Sequence, residues 1–225
     1  MTPPKAIIFD LDGTLYRMKP SMRPLMTLFA VPRVTMLPRF TKGREAFAGM
    51  DLGSRDALMA GICRKLAGGD ASGARDTRAW IEGVFYPAFV RTMRFMRGSR
   101  PGLVELLQRL RRRGIKLAVV SDYSRVAERL RALCIPPTHF DAIASCEEAG
   151  ALKPCERAFS DVARPWGFAA AEILVIGDRT DTDGAAATRA GMQFLRITDK
   201  QSEGSTWPEV KRRLDDLVMG HWDAQ

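Results

Sequence analysis

The feature that most constrains this 225-residue chain is a run near its start, Ala6-Ile7-Ile8-Phe9-Asp10-Leu11-Asp12-Gly13-Thr14-Leu15. Residues 6–9 are apolar without polar alternation, which fits a strand buried on both faces better than an amphipathic helix, and Gly13 punctuates its end. Two carboxylates, Asp10 and Asp12, then sit at the carboxyl end of a core strand, where open α/β sheets leave a crevice for ligands. Two apart on an ideal strand, they share a face, close enough to hold one cation or to divide nucleophile and acid/base roles. A plain Asp-Gly-Thr turn would account for Asp12. It would not account for Asp10, a charge at the end of a buried strand, costly to desolvate without a metal or donor.

Further strands are expected over 115–120, 141–145, 173–176 and 193–197, and several also end in polar groups. The second runs into Ser121. The fourth runs into Gly177-Asp178-Arg179-Thr180-Asp181-Thr182-Asp183-Gly184, three acids in six residues that repel one another unless a cation or basic group is near. Lys153-Pro154, with Phe159 downstream, taken alone reads as an exposed lysine ahead of a helix with proline in its first turn.

Between the first and second strands the texture changes. Pro20, Pro24, Pro32 and Pro38 cut the first third into turns and brief helical pieces. A helix is expected from Ser54, with Leu58, Ile62 and Leu66 on one face and Gly68-Gly69 at its end. Another is expected over 76–96, with a stripe of Trp80, Val84, Phe85, Phe89, Met93 and Met96 and a kink or break at Pro87. Residues 16–97 hold 15 of the 35 Lys and Arg but only 6 of the 26 Asp and Glu, so the whole net charge of +9 lies there. That concentration marks a subdomain with its own electrostatic task, either a solvated basic face or a surface for an anionic ligand. Helices are also expected from Pro101 to Gly114, from near Ser124 through Leu130, and over 208–218. Arg111-Arg112-Arg113 falls where cations favour a helix dipole, and without aromatic interleaving it does not read as a nucleic-acid patch.

Four cysteines without CxxC pairing and with no histidine at metal-ligand spacing point to reduced packing or surface thiols rather than disulfides or zinc. No stretch has the length of a membrane span and the first residues lack an apolar leader, so a cytoplasmic protein is expected.

Asp10-Leu11-Asp12-Gly13-Thr14 resembles the DxDGT signature of the haloacid dehalogenase superfamily of phosphohydrolases. The other motifs of that family follow in order: Ser121 at a strand end, Lys153-Pro154, and Gly177-Asp178 with Asp183. The resemblance implies an α/β Rossmann-like core (1–15 and 98–225) with a parallel sheet ordered 5-4-1-2-3. A mostly helical cap (16–97) would be inserted after the first motif, as in the phosphoglycolate phosphatase-like branch. It implies Asp10 as nucleophile, Asp12 as acid/base, Ser121 and Lys153 as catalytic groups on the phosphoryl oxygens, and Gly13 and Thr14 as substrate-binding. Mg2+ would be held by Asp10, Asp178, the backbone carbonyl of Asp12 and, in support, Asp183, a role Asp181 could share. Asp122 stands where the family often has Asn; an inward charge there would oppose a phosphate, so it is expected to face away or cap the helix near Ser124.

The implied function is Mg-dependent hydrolysis of a small phosphomonoester through an aspartyl-phosphate, the basic cap fitting a substrate with further negative charge. The alternatives are a phosphomutase on the same scaffold and a non-catalytic protein holding an acidic partner through its cap. A monomer or homodimer is expected, without membrane or nucleic-acid partners.

Overall fold

The five apolar runs all become strands. In the computed structural model, which describes residues 2–31, 33–96 and 98–222, these are β1 (Ala6–Asp10), β2 (Lys116–Ser121), β3 (Ala142–Ser145), β4 (Ile173–Gly177) and β5 (Gln193–Arg196). They pair parallel in the order β3-β2-β1-β4-β5, the expected order read from the other edge. β1 and β4 are buried along their whole length, as parallel strands covered on both faces must be. Register sets Asp10 beside Val120 and Phe9 beside Ile176, so the ends of β1, β2 and β4 open side by side. Pro32 and Arg97, placed by the sequence reading at a break and at the end of the basic segment, lie outside the described residues, as do Met1 and residues 223–225.

Between β1 and β2 come α1 (Met22–Phe29), α2 (Met36–Glu45), α3 (Arg55–Leu66), α4 (Ala71–Trp80), α5 (Tyr86–Met96) and α6 (Leu103–Arg112). Ser54 caps α3, its hydroxyl accepting from Ala57 N–H at 3.2 Å. The helix expected from residue 76 begins earlier, at Ala71, because Asp70 accepts from Gly73 N–H and supplies the cap. The irregularity expected at Pro87 takes the form of a π-helical turn, Ile81–Phe85, which joins α4 to α5 just ahead of the proline. Pro101 is not the first residue of α6; it stands two residues ahead, and Gly102 turns the chain in with φ +69°.

The remaining helices are α7 (Val126–Ala132), α8 (Cys146–Ala149), α9 (Arg157–Ala163), α10 (Ala185–Arg189) and α11 (Trp207–Met219). Thr206 and Glu209 form a capping box at the start of α11.

The inserted helices seat on the core through an aromatic cluster and a buried ion pair. Phe85 and Phe89 lie 5.9 and 5.5 Å from the ring of Tyr123, which follows β2. Arg44 of α2 pairs with Glu147 of α8, donates to Asp122 O at 2.7 Å and lies 4.3 Å from the Tyr123 ring. Glu147, fully buried, also accepts from Tyr86 and from Ser124 Oγ, so its charge is met on every side. The four cysteines are free, two buried and one exposed, and no helix among the described residues is long and apolar enough to cross a membrane.

Candidate active site

The loops leaving β1, β2 and β4 bring most of the sequence-predicted site residues together around one buried lysine. Lys153 Nζ donates to Asp10 Oδ1 at 2.6 Å and Asp183 Oδ1 at 2.7 Å, and lies 3.3 Å from Val120 O. Lys153 is therefore buried rather than exposed, and α9 starts only at Arg157. Burial opposes its charge, but Asp10 and Asp183 outweigh this and hold the ammonium well above its ordinary pKa. Asp122 does not cap a helix: α7 begins at Val126, and Asp122 Oδ1 instead accepts from Lys153 N–H at 3.1 Å. The loop amide needs an acceptor there, and Asp122 thereby fastens the lysine loop to the end of β2.

Asp10, Asp178 and Asp183 offer oxygens that all lie within 4.8 Å of one another. Burial, only partly offset by Lys153, pushes Asp10 well above the usual carboxylate range. Burial and the neighbouring Asp183 push Asp178 up to about 6. One lysine does not neutralise three acids, and Asp10 Oδ2 is buried without a hydrogen-bond partner. Hard carboxylate oxygens, one of them orphaned, fit a hard divalent cation. Two glycines permit this crowding: a Cβ at Gly13, whose φ is +83°, would overlap Asp178 Oδ2, and one at Gly177 would overlap the Asp183 carboxylate. Asp181 is exposed and paired with Arg179, outside the group.

The Asp12 carboxylate belongs to a different neighbourhood. Its oxygens accept from Arg129, from Tyr16 Oη at 2.7 Å and from Ser121 Oγ at 3.0 Å. Burial works against its ionisation, but Arg129 and these hydrogen bonds prevail and hold its pKa below the ordinary value. Ser121 Oγ in turn accepts from Arg129 Nη1 at 2.9 Å and from Tyr123 N–H at 3.2 Å. Thr14 is buried with its hydroxyl unpartnered, while Arg100 clamps the same loop through Gly13 O at 2.8 Å and Thr14 O at 3.3 Å.

Sequence reasoning passed over Arg129, Arg100 and Tyr16. For Arg129 a signal was present: with Val126 and Leu130 it falls at the three- and four-residue spacings of a helix's buried face.

A parallel α/β core with an acid–lysine–acid centre near the ends of its strands defines the class of α/β proteins with a charged crevice at the strand ends. The sequence pattern of the haloacid dehalogenase-like hydrolases matches residues 4–191, and the chain belongs to that family. It is 34% identical over 119 residues to a glyceraldehyde 3-phosphate phosphatase of Methanopyrus kandleri, a match covering 52% of this chain and 49% of that protein. The chain thus matches about half the length of that curated relative. Two solved structures share the fold. The HAD-hydrolase YfnB of Bacillus subtilis, bound to magnesium, has a TM-score of 0.66 at 18% identity, covering 95% of this chain and 100% of that one. A β-phosphoglucomutase of Clostridium difficile has a TM-score of 0.63 at 16% identity, covering 96% and 99%.

Proposed function

We propose that the chain is a magnesium-dependent phosphatase that hydrolyses a small phosphorylated metabolite through an aspartyl-phosphate on Asp10. The observation that carries this is the orphaned, buried Oδ2 of Asp10 beside Asp178 and Asp183, with Lys153 neutralising only its other oxygen. Asp10, Asp178 and the backbone carbonyl of Asp12 would hold the ion, with Asp183 in support. Bound magnesium supplies the positive charge that lets a carboxylate approach a phosphate dianion.

Lys153 holds Asp10 in place and offers its ammonium to a phosphoryl oxygen. Ser121, by rotating its hydroxyl hydrogen, offers a second donor. Gly13 and Thr14 line the same loop, with the Thr14 hydroxyl free to serve a ligand. An Asp10 oxygen attacks phosphorus as the bond to the leaving alcohol breaks, and Asp12 delivers the proton that the alkoxide takes up. Asp12 then accepts a proton from the water that cleaves the aspartyl-phosphate. Asp10 and Asp12 therefore have different duties in different surroundings: Asp10 is set among acids and Lys153, Asp12 among donors.

Residues 16–97 act as the cap that excludes water and contacts the leaving group. Their basic surplus is partly engaged already, Arg44 with Glu147 and Arg55 with Glu82 and Glu148. What is left favours a substrate with charge beyond the transferred phosphate. The name of the partial relatives makes glyceraldehyde 3-phosphate the first compound to try.

The test is phosphate release from a panel of phosphorylated metabolites, with native chain, Asp10→Asn and Asp12→Asn. Magnesium-dependent turnover, abolished by either substitution and by chelation, is the expected result. No turnover on any substrate by a folded, metal-loaded chain would overturn the reading.

A further inference from the structure

Arg129 has no solvent-exposed surface and is the largest fully buried side chain among the described residues. A guanidinium is not placed there by the hydrophobic effect, and its contacts join two groups of the proposed reaction, the inserted helices and Tyr123, which follows β2. Nη2 donates to both oxygens of Asp12, while Nη1 donates to Ser121 Oγ at 2.9 Å and Tyr123 O at 3.2 Å. The Cζ of the same guanidinium lies over the ring of Phe89 on α5, 4.4 Å from its centroid, and 5.9 Å from that of Tyr123. Phe89 comes from the inserted helices, Asp12 from the loop after β1, and Arg129 from α7 of the core. One side chain thus touches the acid/base, the serine at the end of β2 and the insertion.

With Tyr16 and Ser121 on the same two oxygens, Asp12 has its carboxylate plane fixed from three directions. A carboxylate that must pass a proton to one particular oxygen is sensitive to such fixing, since a displacement of about 1 Å can cost on the order of 100-fold in rate. Arg129 is held in turn by the ring that covers it. A cation held over an aromatic ring away from water is attracted by the ring's quadrupole, and that attraction exists only while Phe89 is in place.

We propose that Arg129 is a positioning residue for Asp12, and that Phe89 makes its hold depend on the placement of the inserted helices over the core. The role rests on the reading of Asp12 as the acid/base. Arg129 forms and breaks no bond with substrate; it sets the direction of the carboxylate that moves the proton and transmits to it whether α5 is seated.

The experiment compares kcat/KM for an alkyl phosphate, whose leaving oxygen needs a proton, with kcat/KM for an aryl phosphate, whose phenolate leaves without one. This parameter reports the steps through transfer to Asp10 and excludes the water attack common to both substrates. In Arg129→Met the aryl-to-alkyl ratio is expected to rise by about 10-fold or more, part of the about 100-fold or larger contribution of a well-placed acid. Arg129→Lys, which keeps the charge but not the fork of donors, should fall between, and Phe89→Leu should shift the ratio the same way by less. These two variants also serve if Arg129→Met fails to fold. An unchanged ratio in the variants that fold, with both substrates losing equally in step with thermal stability, would make Arg129 a structural ion pair and overturn the proposal. A wild-type chain that turns over neither substrate would overturn the phosphatase reading, and the positioning role with it.

Discussion

The ammonium of Lys153 holds one carboxylate oxygen of Asp10 at 2.6 Å, and the other oxygen of Asp10 is buried with no partner at all. The lysine both fixes the nucleophile and leaves half of it available. Replacing it by methionine, similar in length but uncharged, should cost on the order of 100- to 1000-fold in kcat, the scale for losing one preorganised donor at a developing charge. The same change leaves Asp10 and Asp183 buried without their cation, so the metal-free protein should also melt lower. Steady-state kinetics and thermal unfolding of Lys153→Met check both.

Arg44 and Glu147 carry a separate consequence, for stability. The pair is buried between α2 and α8, and burial of the Arg44 guanidinium is outweighed by Glu147, which raises its pKa. Arg44→Met should cost about 3–5 kcal/mol, because it strands a buried carboxylate. Combining it with Glu147→Gln should cost clearly less than the two single losses added, since the stranded charge is gone. Urea unfolding of the three variants measures this.

Asp178 sets a pH dependence. Its folded pKa, raised from 3.8 to about 6 by burial and by Asp183, means the folded metal-free chain binds this proton more tightly than the unfolded chain does. That contribution to stability is present below the unfolded pKa and is lost as pH rises through the folded one. Magnesium needs the ionised form, so added magnesium should raise the melting temperature increasingly as pH climbs from roughly 4 through 6. Melting curves with and without magnesium, below, within and above that window, give the answer.

Gly13 has φ +83° and no room for a Cβ beside Asp178 Oδ2. Gly13→Ala should lose about 1–2 kcal/mol from the left-handed backbone alone. It should also turn the Asp178 carboxylate aside and weaken magnesium binding, which isothermal titration reports separately from the melting point.

The fold was legible because buried parallel strands write themselves as largely apolar runs, and each expected run ends within one residue of its strand. Asp10 and Asp178 were legible for a related reason: they stand at those ends, where a charge has no structural excuse, whereas Lys153, eight residues past β3, stood out only through the family resemblance. The capping role open to Asp122 failed because sequence does not show the backbone amide of Lys153 that takes the acid up. The start of α4 was misjudged because aromatic periodicity outweighed the modest capping signal of Asp70. Arg129 and Glu147 escaped because a charged residue in a helix is ordinarily solvated, and their partners lie 117 and 103 residues away in sequence. Only long-range packing brings these charges together.

The central claim is a covalent step on Asp10, and the most direct measurement is to trap it. Asp12→Asn would be mixed with magnesium and an aryl phosphate, which needs no acid to leave. The sample would be acid-quenched, reduced with borohydride and mapped by peptide mass spectrometry. The account predicts a reduced acyl-phosphate at Asp10, absent from Asp10→Asn and from samples without magnesium. Phosphate release by the native chain with no modification at Asp10, or with the modification at another residue, would contradict it.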